Sequence, residues 1–328
     1  ARSAPTASDY PTTPPAGDPA AMAGETYALV LLSAAKWLTD LGIVWLVGVS
    51  GFRLLTRPGW PGFSRDLVGL EGRLVRYAGL ALLLLVAATV ARLYAQTYAS
   101  FGLDEPVTGE LLRVVSTQTR WGDRWMMQGA AVVLSALAWV LVMLRVGRSW
   151  LLFGAATLVV VGTTPLTGHA MGYSGGVLLP MVLQIGHLLA AGVWIGTLFV
   201  LLSVGLRSMA SYGPKHGLVL APLVDRFSPV ALTAAGTLAG TGAVTALLYI
   251  DEVQQLWQTV YGRALLAKIT LFGVAASLGA YNWKRVRPGI PSPGGTERLR
   301  RSGTAELLVV VVLLAVTAWL VHLPMPHE

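Results

Sequence analysis

The chain has 328 residues, 54% of them hydrophobic and 12% charged, with a formal net charge of +8 and no cysteine. Soluble domains carry roughly a quarter charged residues, so a chain this long and apolar has too little polar surface to cover a globule in water, and a soluble enzyme is excluded. The positive charges lie between apolar runs, where they act as topology signals and not as a nucleic-acid face; the lack of cysteine excludes disulfides, thiolate metal sites and thiol nucleophiles.

In chain order, residues 1–25 are rich in Pro, Ala, Ser and Thr and contain no apolar run; they read as a disordered extracytoplasmic tail. Residues 26–328 form one membrane domain. Eight apolar segments follow, at about 27–52, 74–99, 125–145, 149–167, 178–206, 227–250, 264–284 and 304–323. Each approaches or exceeds the roughly 20 residues that span a bilayer. Gly and other small residues recur in them, as close helix packing in lipid favours. The predicted architecture is an all-α bundle of eight transmembrane helices. The connections at about 100–124 and 251–262 are expected to hold short surface helices. No Walker-type loop is present, so no nucleotide is expected.

The connections also predict orientation. Loops after the first, third, fifth and seventh spans carry 16 of the 24 basic residues, among them Arg53, Arg145, Arg207 and Arg301, against four acids. The opposite side carries six Arg and ten acids, including Asp104, Glu110 and Asp251. By the positive-inside rule the basic side is cytoplasmic and both termini lie outside.

Soft metal ligands crowd the outer half. His169, His187, His322 and His327 fall there, as do Met22, Met126, Met127, Met171, Met181 and Met325. His216, Met143 and Met209 lie toward the cytoplasm. Imidazole and thioether without thiolate suit copper, Cu(I) ahead of Cu(II). A single Met in a span is ordinarily a lipid-facing or gap-filling residue, so the weight rests on the histidines. His169 ends the fourth span, where Pro165 and Gly168 loosen the helix. His187 lies about nine residues into the fifth span, roughly 13 Å deep at 1.5 Å per residue. Ionisable groups at that depth are rare and face the protein interior or a polar pathway. Met181, Gln184 and His187 are spaced i, i+3, i+6 on one stripe. The short connection between the two spans makes His169 and His187 neighbours able to share a ligand. The bland reading is a neutral histidine hydrogen-bonded to the next helix. The tail offers His322, Met325 and His327, although a mobile terminus is more often uninvolved.

Other polar groups in the spans have local explanations. Lys36 and Asp40, at i and i+4, read as an internal ion pair. Lys268, about one turn inside the seventh span, reads as snorkelling outward. Glu306 reads as a partner for the N-terminal dipole of the last helix.

The runs Leu166-Thr-Gly-His-Ala and Gln184-Ile-Gly-His-Leu-Leu-Ala-Ala-Gly-Val-Trp-Ile-Gly196 resemble the copper resistance protein D (CopD) family. So do Arg226-Phe-Ser-Pro, Thr241-Gly, Tyr261-Gly-Arg-Ala-Leu-Leu-Ala-Lys268, Tyr281-Asn-Trp-Lys and Ala305-Glu. The resemblance implies an inner-membrane protein of copper handling, linked with uptake, with a copper role for His169 and His187. It also implies a location in a bacterial plasma membrane and a periplasmic copper carrier of the CopC type as partner. Twenty-five Pro-rich residues are too few to form such a β-sandwich, so the carrier is expected as a separate chain.

Three functions remain open. The first is copper binding at the outer face followed by passage inward, without ATP and without catalysis. The second is a redox protein with His169 and His187 as axial ligands of a b-type haem, although the two histidines differ in depth. The third is a non-transporting copper receptor or chaperone.

Overall fold

The computed structural model describes residues 19–56, 67–103, 105–168, 176–209, 216–250 and 252–323. Eight helices in it are long and apolar enough to cross a membrane. In chain order these are α1 (Pro19–Leu55), α2 (Leu67–Phe101), α4 (Arg120–Met143), α5 (Ser149–Thr167, its last turn 3-10), α6 (Leu178–Ser208), α7 (His216–Tyr249), α8 (Val260–Gly289) and α9 (Gly295–Leu320). A short helix α3 (Gly109–Thr117) and a single turn Gln255–Gln258 occupy the two connections expected to hold surface helices. No strand occurs among the described residues. The chain is a multi-pass membrane protein.

Several helices outrun their apolar windows. α1 begins at Pro19, inside the stretch read as tail, and α7 begins at His216, well before the apolar run at 227. Hydropathy reports the part that lies in hydrocarbon, whereas the helix continues through polar residues as long as its backbone bonds stay local. Starts are marked by threonine caps. Thr119 Oγ1 accepts from the Gly122 amide and Thr259 Oγ1 from the Gly262 amide, each at 2.9 Å, opening α4 and α8.

α6 is the central helix. It packs against α1 on one side and α7 on the other, while α1 also packs against α2 and α9, α4 against α5, and α8 against α9. The α1–α6 crossing is backbone on backbone. A Cβ added at Gly196 would stand 1.9 Å from the Val44 carbonyl oxygen, and one at Gly48 would stand 2.1 Å from the Gly196 carbonyl carbon. Two π turns, Gly192–Gly196 and Leu201–Gly205, interrupt α6 along this contact, and a third, Asn282–Val286, lies in α8. Such turns re-aim side chains within an otherwise regular helix.

Candidate functional site

The ends of α1 and α9 that lie nearest the termini define one side of the bundle, here the terminal side. Five polar side chains stand at a common depth below it. Arg92, Gln128, His187, Thr241 and Lys268 each fall eight or nine residues from the terminal-side end of α2, α4, α6, α7 and α8. At 1.5 Å per residue this is a polar layer about 12–14 Å deep. Lys36 and Asp40 join it from α1.

His187 is half-buried, and its Nδ1 lies 2.9 Å from Thr241 Oγ1. The single Thr241 hydroxyl proton is already donated to the Thr237 carbonyl oxygen at 2.7 Å. With its proton on that carbonyl Thr241 accepts and His187 Nδ1 donates, which is one of the two tautomers the contact admits. The neutral ring then presents the lone pair of Nε2, the atom that a metal requires. A glycine beside it leaves room: a Cβ at Gly242 would stand 3.5 Å from the His187 ring.

The same layer also carries charge. Lys36 Nζ contacts both Asp40 carboxylate oxygens, at 2.5 and 2.6 Å, as the i, i+4 spacing predicts. Arg92 is buried and donates to Gln128 Oε1 at 2.6 Å and to Thr167 Oγ1 at 2.8 Å, tying α2 to α4 and to the end of α5. Lys268 lies within electrostatic reach of Asp40, Lys36 and His187. It is half-buried, eight residues inside α8.

The residues expected to bind metal divide three ways. His187 and half-buried Met181 lie on α6, and Gly168 abuts α6, where a Cβ would meet the Gln184 amide at 3.9 Å. His169, Met171, Met325 and His327 lie outside the described residues. Met126 and Met127 are exposed on the flank of α4, while Gln128 beside them faces inward. His322 donates from Nδ1 to the Ala318 carbonyl oxygen at 2.8 Å, at the end of α9. Among the described residues no three His, Asp or Glu side chains converge as a ligand set. His216, on the opposite side, pairs with Thr296 Oγ1 at 2.6 Å.

A second buried polar group was read differently from sequence. Glu306 lies three turns into α9, which begins at Gly295, so it is not a dipole partner of the first turn. It is 2% exposed and accepts from Trp194 Nε1 at 2.9 Å and Asn282 Nδ2 at 2.8 Å, both donors standing in π turns. This joins α6, α8 and α9 below His187. Arg92 was also missed, having been counted only as an outer basic residue. An arginine nine residues inside an apolar run is itself the signal.

Residues 25–179 match the family described as copper resistance protein D-like, N-terminal domain, and residues 221–320 match that described as copper resistance protein D. His187 falls in the interval between the two. The chain is 27% identical over 297 residues to a copper resistance protein D of Pseudomonas syringae pv. tomato, covering 88% of this chain and 94% of that one. It is 31% identical over 229 residues to the copper transport protein CutJ of Bacillus subtilis (strain 168), covering 66% of this chain and 39% of that protein. No solved structure matches.

Proposed function

Since the chain belongs to the copper resistance protein D family, we propose that it accepts copper on the terminal side of the bundle, which is extracytoplasmic, and passes it inward without ATP. His187 Nε2 is the first deep ligand, with His169 and Met171 or Met181 completing a soft set. The observation that supports this is the His187–Thr241 bond. It orients the imidazole and, in the tautomer with the proton on Nδ1, leaves Nε2 unprotonated, as outer-shell partners of metal-bound histidines do. Cu(I) exchanging among imidazole and thioether donors needs no strong fixed charge and no wide pore. Copper here is cargo, delivered by a separate carrier or directly from the medium.

The test is copper binding by the detergent-purified chain, followed by copper entry into sealed vesicles. His187→Ala should lose affinity by more than the roughly 10–100-fold that loss of an outer-shell partner costs, whereas His216→Ala should change little. His187→Gln controls for shape, and all variants are compared at equal folded fraction. Equal affinity in folded wild type and His187→Ala would overturn the assignment. Binding without entry would make the protein a receptor, and a Soret band in the purified protein would make it a b-type haem redox protein.

A further inference from the structure

Glu306 is a carboxyl without a counter-charge among the described residues. It is 2% exposed, and both its oxygens accept from neutral groups: Oε1 from Trp194 Nε1 at 2.9 Å and Oε2 from Asn282 Nδ2 at 2.8 Å. The ionisable groups on the helices around α9 stand elsewhere. α1 has none between Asp40, which is paired with Lys36, and Arg53. α6 has none between His187 and Arg207. α8 has only Tyr281 between Lys268 and Lys284. Tyr281 and Lys284 are both exposed, the Lys284 ammonium lying over the Trp283 ring. His216 of α7 bonds Thr296, in the first turn of α9. Along α9 itself the nearest charge is Arg301, which is exposed and paired with Glu297. A carboxylate left alone inside an apolar span is costly, and such groups mark functional positions.

The Asn282 contact reads in both directions. A separation of 2.8 Å suits an amide N–H donating to a carboxylate, and equally an acid O–H donating to the amide oxygen. The other amide atom, Asn282 Oδ1, is buried and has no hydrogen-bond partner among the described residues. Turning the amide over therefore breaks no bond except the one that it remakes. We propose that Glu306 is a proton-binding site, its carboxyl taking up and releasing a proton while Asn282 serves the carboxylate through Nδ2 and the acid through Oδ1. Trp194 donates to the other oxygen in both states. Two N–H donors suit the charged form, and burial without a cation suits the neutral one, so the site is built for both. The ligand is the proton alone. The site does not rest on the copper reading and is measured without copper.

The experiment is an infrared pH titration of the full chain, purified free of copper in an uncharged detergent. A carboxylic acid has a carbonyl stretch that its carboxylate lacks, and the difference between wild type and Glu306→Gln isolates the band of Glu306. That band should grow as pH falls and disappear as pH rises, within the range over which the protein stays folded. Asn282→Leu removes the amide and keeps a side chain of similar size. The band should then shift in frequency, because the hydrogen bond at the acid is lost. Proton binding should tighten about tenfold, since a bond to the charged carboxylate is worth more than one to the neutral acid. This second comparison assigns the band without altering Glu306. A Glu306 signal that stays acid, or stays carboxylate, over the whole folded range would overturn the proposal. So would a band of wild-type frequency and midpoint in folded Asn282→Leu.

Discussion

At the scale of the residue, the candidate site turns on one proton. A histidine in an apolar span has two nitrogens that could face a metal, and only the neighbour's hydrogen bonding decides which one is unprotonated. Thr241 selects Nδ1 as the donor when its own proton goes to the Thr237 carbonyl oxygen. Thr241→Val keeps the volume and removes the acceptor. The outer-shell precedent puts the loss of copper affinity at roughly 10–100-fold, with the ligand itself still present. Competition with a chromophoric Cu(I) chelator measures it; unchanged affinity would mean that the Thr241 contact is packing alone. Histidine depth was legible in the sequence, as was the Lys36–Asp40 pair, because both depend only on spacing along one helix. The Thr241 partner was not, because it comes from the next span.

At the scale of the element, the closest contact is the crossing of α1 and α6, directly below His187. Small residues at such a crossing let backbones approach, which is how helices associate where lipid removes the hydrophobic drive. Gly196→Ala places a methyl group where the Val44 carbonyl already stands. Backbone cannot move aside as a flexible side chain can, so the helices must part. The expected cost is at or above the ~1–3 kcal/mol of ordinary overpacking. Gly236→Ala on α7, where a Cβ meets nothing within 4 Å, should be neutral or stabilise the helix by about 0.5–1 kcal/mol. Thermal unfolding in detergent compares the two; equal midpoints would show that the crossing tolerates expansion. The glycines were visible in the sequence as favourable for packing, but the one at the crossing was not distinguishable from those facing open space.

At the scale of the whole molecule, an even number of crossings returns the chain to the side on which it began. The positive-inside rule makes the side of Arg145, Arg207 and Arg301 cytoplasmic. Reporter fusions after Arg145 and after Arg301 should read cytoplasmic, and a fusion after Glu252 external. Reversal of all three would put His187 and the polar layer on the cytoplasmic side and turn the proposed direction of copper movement around.

Span number, helix type and the sorting of charged connections follow from local composition, because each is a property of one segment and its solvent. Depth along a helix follows too, since it is residue count multiplied by rise. Rotation about the helix axis does not: it is set by packing against neighbouring helices. That is why the partners of Arg92, Gln128 and Thr167, were not legible. It is also why Glu306 met Trp194 and Asn282 deep in α9. Five helices each bring one polar residue to the same depth, and their packing is what pairs Arg92 with Gln128 and His187 with Thr241.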